Sequence, residues 1–278
     1  MMRDLAANPQ LFSINTATLG FQSPIEKSIE DVARAGFGGL SPWRREVEGY
    51  DVTAIARQIR QAGLKVPCYC RSTYIPAATA SEFSSNVTDN KAAIEDAAIL
   101  GASCFMMVVG SLPAGSKDIA GARAQVKEAS AELAEHGRKL GVKIALEPLH
   151  PVYAADRSCL TMLSEALDWC DDINHPNLGV CIDAYHVWWD PQLARDVARA
   201  AKRILAFHVC DWLVPTRDML LDRGMMGDGI IDLPALRAMV EAAGYKGLVE
   251  AEIFSSENWW KRPASETLAV IKSRLSQS

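Results

Sequence analysis

Apolar and polar positions along the chain repeat in one order: a short apolar run, a few loop residues, then a stretch of helical period, often closed by Gly. The order recurs eight times. Apolar runs lie near 11–19, 37–42, 65–75, 103–110, 142–149, 178–186, 204–210 and 247–254. Helical stretches lie near 24–36, 51–63, 88–101, 118–141, 160–173, 191–203, 233–244 and 263–276. Gly36, Gly63, Gly101, Gly141 and Gly244 stand at helix ends, where a left-handed backbone costs glycine least, and Asp51 and Thr88 read as N-caps. Strands alternating with helices through short loops call for right-handed βαβ units and a parallel sheet. Eight such units without a long interruption predict one α/β domain over 1–278, a single (β/α)8 TIM barrel.

No Pro, Gly or Ser linker divides the chain, and no Gly-rich dinucleotide or phosphate-loop fingerprint follows a strand. The longest non-periodic stretches, 72–87 and 211–232, both follow strands. In a barrel such loops lie on the C-terminal face, so they predict a covered pocket there.

Composition adds boundaries to this picture. Hydrophobic residues make up 49% and charged residues 23%, an ordinary globular balance that excludes a disordered or fibrous chain. The net charge is −5 and no basic cluster exceeds a pair, which argues against nucleic acid as a partner. Seven cysteines without regular spacing point to reduced thiols, and the polar start of the chain offers neither signal peptide nor membrane anchor. A cytoplasmic protein without membrane attachment is the expectation.

The chemistry concentrates at the ends of the fifth to eighth strands. Glu147 in "ALEPLH", Asp183 in "CIDAYH", His208 in "AFHVCD" and Glu252 in "EAEIFS" can each bind a divalent metal. Strand alternation places small residues inward beneath three of them, Ala145 below Glu147, Cys181 below Asp183 and Ala206 below His208, with bulky residues outward. The eighth strand departs from this, because Glu250 shares the face of Glu252. Glu252 is taken as the ligand since it lies nearer the C-terminal end, and Glu250 as a deeper, paired group; a different strand end would exchange them. Three carboxylates and an imidazole gathered in one mouth repel one another without a cation. The oxygen-rich set suits Mn²⁺ first, with Mg²⁺, Co²⁺ or Zn²⁺ as alternatives.

From the first strand to "VEAEIFSSENWW" the chain resembles the xylose isomerase-like TIM-barrel superfamily, the group of sugar isomerases and epimerases that includes ketose 3-epimerases, inosose dehydratase and 3-dehydroshikimate dehydratase. The resemblance implies that the family's Glu-Asp-His-Glu metal set falls on Glu147, Asp183, His208 and Glu252, and that Glu147 and Glu252 also serve as acid and base. It further implies that His186, in "DAYH", contacts a substrate oxygen. Asp211, His150 and an arginine of the following loop, Arg217 in preference to Arg223, complete the expected substrate contacts. Arg71, Trp43 and the pairs Trp188-Trp189 and Trp259-Trp260 are further candidates for the same face. Endonuclease chemistry of this superfamily fits poorly, since five histidines are too few for its multi-zinc site.

The function expected is therefore a metal-dependent isomerase or epimerase acting on a small keto-sugar through an enediolate. A lyase expelling water from the same enolate, with His150 or His186 as acid, is the alternative; a non-catalytic sugar-binding subunit is a third. The absence of an obvious phosphate cradle favours an unphosphorylated sugar, polyol or sugar acid. Trp259-Trp260, if exposed, suggests a homo-oligomer contact.

Overall fold

The computed structural model describes residues 2–278. Eight parallel strands, β1 Phe12–Asn15, β2 Gly39–Ser41, β3 Val66–Tyr69, β4 Ala102–Met107, β5 Lys143–Leu146, β6 Leu178–Asp183, β7 Ile204–Val209 and β8 Val249–Ala251, pair in sequence order, with β8 against β1. The seam between β2 and β3 is joined by the bridges Gly39 to Lys65 and Trp43 to Cys70, and the hydrogen bond from Leu40 N to Lys65 O measures 2.9 Å. The result is a TIM barrel ringed by helices α1 Ile25–Ala35, α2 Val52–Gln61, α3 Ala80–Leu100, α4 Ile119–Leu140, α5 Leu163–Ile173, α6 Leu193–Ala200, α7 Leu233–Ala242 and α8 Ala264–Ser273. Among the described residues no helix is long and apolar enough to cross a membrane.

Alternation along the strands sorts the side chains as expected. Ile144, Leu146, Val180, Ile182, Phe207 and Val209 pack outward into the main core with the helices. Inside, Cys68, Cys70, Cys104, Met106, Ala145, Cys181 and Ala206 form a separate layer of small and flexible residues. All seven cysteines are buried and unpaired. The small inner layer leaves room above it for polar side chains to converge, which a layer of Leu or Ile would fill.

The five helix-end glycines all have positive φ, from 73° at Gly63 to 101° at Gly244. Asp51 caps α2, its carboxylate accepting from the N–H groups of Thr53 and Ala54. Thr88 is not a cap. Helix α3 begins eight residues earlier, at Ala80, where Thr79 and Glu82 form a reciprocal capping box. Thr88 lies within the helix, its hydroxyl donating to Ser84 O at 2.9 Å. The helical period over 80–87 is hidden by its polar, exposed face, so the predicted loop 72–87 is shorter than its composition suggests. The Trp259-Trp260 pair is not an exposed patch either: Trp259 is buried and the Trp260 indole donates to Ala17 O, so neither ring offers the oligomer contact.

Replacing Thr79 by Ala should lower stability by about 1 kcal/mol, read as a fall in the urea midpoint at unchanged slope. Thr88→Ala should be close to neutral, and an equal loss from both would contradict the cap assignment.

Candidate metal and substrate site

The register of the strands brings the polar residues to one level. Asp183 on β6 pairs with His208 on β7, which pairs with Glu250 on β8, which pairs with Ser13 on β1. Glu147 and Glu252 lie one residue past the ends of β5 and β8. One ligand atom each from Glu147, Asp183, His208 and Glu252 lies within 4.8 Å of all the others, and all four residues are buried.

His208 is held from below. Its Nε2 lies 3.3 Å from Glu250 Oε1, and Glu250 in turn accepts hydrogen bonds from Ser13 Oγ (2.7 Å) and Ser41 Oγ (2.6 Å). Burial raises the affinity of Glu250 for a proton, but the bonds from His208, Ser41 and Ser13 overrule it and keep the carboxyl below its usual range. Nδ1 of His208 faces the other way, 3.5 Å from Glu147 and 3.8 Å from Glu252, and has no hydrogen-bond partner. An imidazole whose Nε2–H is taken by a carboxylate presents its Nδ1 lone pair to a metal.

Above this level the carboxylates strain against one another. Burial, aided by the negative charge of Glu147 and opposed by His208 and Arg223, pushes Glu252 up to about 8. Asp183 is raised as well, by burial first. Burial works against a proton on His208, yet the acidic groups around it, Cys181 and Glu252 foremost, outweigh burial and raise it. The unpartnered Nδ1 and the crowded carboxylates are what a divalent cation would satisfy, so the residues present fit one.

Two of the carboxylates have a cationic neighbour that the expectation passed over. Arg223 is 3% exposed; its Nη1 lies 3.2 Å from Asp183 and 3.4 Å from Glu252, and its Nη2 lies 3.2 Å from His186 Nε2. The guanidinium is stacked between the rings of Tyr185 (4.4 Å) and Phe254 (4.8 Å). A short antiparallel ribbon, Asp211–Trp212 against Arg223–Gly224, carries it there, and its backbone N–H binds Phe254 O. Arg217, the arginine preferred from sequence, belongs to the outer turn of the same excursion. Its side chain is 62% exposed and tied to Asp222, and it does not line the cavity.

His186 does line the cavity. Its Nδ1 accepts the backbone N–H of His150 at 3.1 Å, and burial together with the charge of Arg223 keeps the ring neutral. Its Nε2 faces the Arg223 guanidinium, which can only donate, and lies 3.6 Å from Asp183 Oδ2. His150 stays off the cavity wall: its ring packs on Trp212 at 5.1 Å and its Nδ1 accepts from Val152 N. Asp211 is likewise no cavity residue. Its carboxylate accepts from the N–H groups of Trp212, Gly227 and Ile231 and so holds the 211–232 loop together.

Asn15 was missed as well. Its Nδ2 donates to Glu252 Oε1 at 3.0 Å and its Oδ1 accepts from the Trp43 indole at 2.6 Å. Alternation applied to "FSIN" puts Ser13 and Asn15 on the inner face, so the signal was available. Trp43, Phe21, Phe254 and Trp260 form an aromatic wall, with successive ring centroids 5.6 to 6.1 Å apart. Trp188, Trp189 and Trp259 are absent from the lining. The cavity, about 340 Å³ and open at the barrel mouth, is of small-molecule size.

The family model of the xylose isomerase-like TIM barrel matches residues 29–274. The chain belongs to that family. Among curated relatives, an inosose isomerase of Bacillus licheniformis is 29% identical over 158 residues, 54% of this chain and 53% of that protein. A ketose 3-epimerase of Arthrobacter globiformis is 26% identical, covering 59% of this chain and 54% of that protein. A 3-dehydroshikimate dehydratase of Pseudomonas putida is 25% identical over 86% of this chain and 37% of that protein. The chain thus spans about half the length, or less, of the curated relatives it matches. The crystal structure of protein SMc04130 from Sinorhizobium meliloti 1021 is similar with a TM-score of 0.93 at 48% identity, over 95% of this chain and 97% of that one. The IOLI protein, solved with a zinc atom, shares the fold with a TM-score of 0.79 at 20% identity, over 94% and 95% of the two chains.

Glu252, Asp183 and His208 all bind protons more tightly in the folded, metal-free chain than when unfolded, so the stability they contribute falls as pH rises, while buried neutral His186 acts the other way up to its ordinary 6.5. For Glu252 the window runs from its ordinary 4.5 to about 8. Denaturation midpoints measured in chelator across that window should decline more steeply in wild type than in Glu252→Gln. Midpoints that change with pH equally in wild type and Glu252→Gln would contradict the shift.

Proposed function

We propose that this member of the family is a divalent-metal-dependent isomerase or epimerase of a small polyhydroxylated ketone. The observation that carries the reading is the pair Glu147 and Glu252, brought from β5 and β8 into one cavity and both turned to the unpartnered Nδ1 of His208. Glu147, Asp183, His208 and Glu252 would hold the cation, with Mn²⁺ as the first expectation and zinc suggested by the metal recorded in the IOLI protein. Such a cation supplies Lewis-acid polarisation of a carbonyl oxygen.

The rest is done by the chain's own groups. A ketone bound between Glu147 and Glu252 presents its α C–H to one carboxylate, which takes the proton; the other can return a proton from its own side. Removal by one and return by the other inverts the stereocentre. Glu252 suits the exchange because burial has pushed it up to about 8, so both of its protonation states are accessible near neutral pH. Asn15 holds its Oε1 and Arg223 lies against its Oε2, which fixes the plane of the carboxylate. His186, neutral and lining the cavity, is a contact for a substrate oxygen, and Arg223 adds positive charge where the enolate develops. The aromatic wall of Trp43, Phe254 and Trp260 excludes water.

The inosose isomerase and ketose 3-epimerase relatives support this reaction class. The dehydratase relative, aligned over most of this chain, supports a second reading in which the same enolate loses a β-hydroxyl as water.

Metal-loaded protein screened against ketoses and inososes in deuterated buffer should incorporate deuterium beside the carbonyl. Glu147→Gln and Glu252→Gln should each slow that exchange by about 100-fold or more while leaving the fold intact by circular dichroism. Exchange at the wild-type rate in both variants would refute the proton-transfer role. An enone absorbance appearing with the exchange would select the lyase.

A further inference from the structure

The rim of the cavity carries positive charge that the proposed chemistry does not use. Arg45, Arg71 and Arg157 come from separate loops, after β2, β3 and β5, and all three line the same cavity as Glu147, Glu252 and His186. Arg45 and Arg71 have no carboxylate within 4.0 Å among the described residues, and the nearest to Arg157 is the exposed neighbour Asp156, at 4.0 Å. Adjacent Arg44 shows the contrast, with its guanidinium forked onto Asp89 at 2.9 and 3.1 Å.

The three are nevertheless positioned. Arg45 lies over the ring of Phe21 at 4.4 Å, Arg71 over Tyr74 at 4.6 Å and Arg157 beside Tyr153 at 5.9 Å. Stacking on an aromatic face orients a guanidinium while leaving its N–H edge free for a ligand. The floor of the cavity does not need all of their charge. With a divalent cation in place, its two charges and Arg223 offset all but one of the four carboxylates Glu147, Asp183, Glu250 and Glu252, leaving one negative charge against the three rim guanidinium groups. A neutral sugar would leave most of the rim's positive charge unmatched.

We infer that the substrate is anionic, a small polyhydroxylated ketone bearing a carboxylate or a phosphate that Arg45, Arg71 and Arg157 receive at the cavity mouth. This rests on the cavity being where the ketone binds; a sugar acid would agree with the expectation from sequence, and a sugar phosphate would depart from it. The basic residues are dispersed along the sequence and meet only in the fold. Guanidinium N–H pairs match both oxyanions in shape, and charge-assisted bonds of this kind discriminate strongly against a neutral analogue.

Three inert ligands with one polyol skeleton separate the outcomes: glucitol, gluconate and glucitol 6-phosphate, titrated calorimetrically into metal-loaded protein. At least one anion should bind about tenfold or more tightly than glucitol. Arg71→Gln, and Arg45→Gln with Arg157→Gln, should remove that preference while leaving glucitol binding and metal content unchanged. Preference for gluconate identifies a sugar acid, and preference for the phosphate identifies a sugar phosphate. Glucitol binding as well as either anion, neither anion binding, or a preference that survives all three substitutions would overturn the inference. Proton exchange on neutral ketoses without an anion preference would leave the proposed reaction standing and this inference refuted. An anion preference without exchange on any ketone would do the reverse.

Discussion

A buried imidazole clamped between carboxylates is the constraint on which the upper half of this barrel depends. His208 takes no exposure at all, and Glu250 beneath it is satisfied by Ser13, Ser41 and His208 together. That lower carboxylate has its hydrogen bonds satisfied. The level above is less well matched: Glu147, Asp183 and Glu252 crowd one side of Nδ1 with only Arg223 to offset them. Burying like charges this closely raises their affinity for protons or for a cation, and both consequences suit the proposed metal site and proton transfer.

The same constraint explains the neighbours. Small side chains from Ala145, Cys181 and Ala206 lie below the ligands because the polar layer needs its volume. Asn15 and Arg223 grip the two oxygens of Glu252, and Arg223 itself is kept planar between Tyr185 and Phe254. His186 is left neutral by burial and by that guanidinium, with its Nδ1 accepting the backbone N–H of His150. Residues such as His150 and Asp211 thus act at one remove, by shaping loops and orienting side chains.

The family relation and the geometry bear on different questions. Membership identifies the scaffold, and the matched relatives are named as isomerases, epimerases and a dehydratase. In the proposed reading, the choice of ketone falls to the mouth, to the aromatic wall and to guanidinium groups that belong to loops. Loops of a barrel vary while its strand ends persist, so substrate class is better sought in Arg45, Arg71 and Arg157 than in the metal cluster.

The barrel and its inner face were legible in the sequence because both rest on local periodicity. Alternation along β5 to β7 set Glu147, Asp183 and His208 above small residues, and glycines marked the helix ends. Where periodicity is masked, as in the polar first two turns of α3, the boundary slipped to Thr88. Arg223 over Arg217, Asn15 beside Glu252 and the three rim arginines could not be ranked the same way. Their roles depend on a ribbon that reverses the chain, on register between β8 and β1, and on loops distant in sequence. Chain position determines which face of a strand a residue occupies; only the closed barrel determines which residues of different strands and loops share a charge environment.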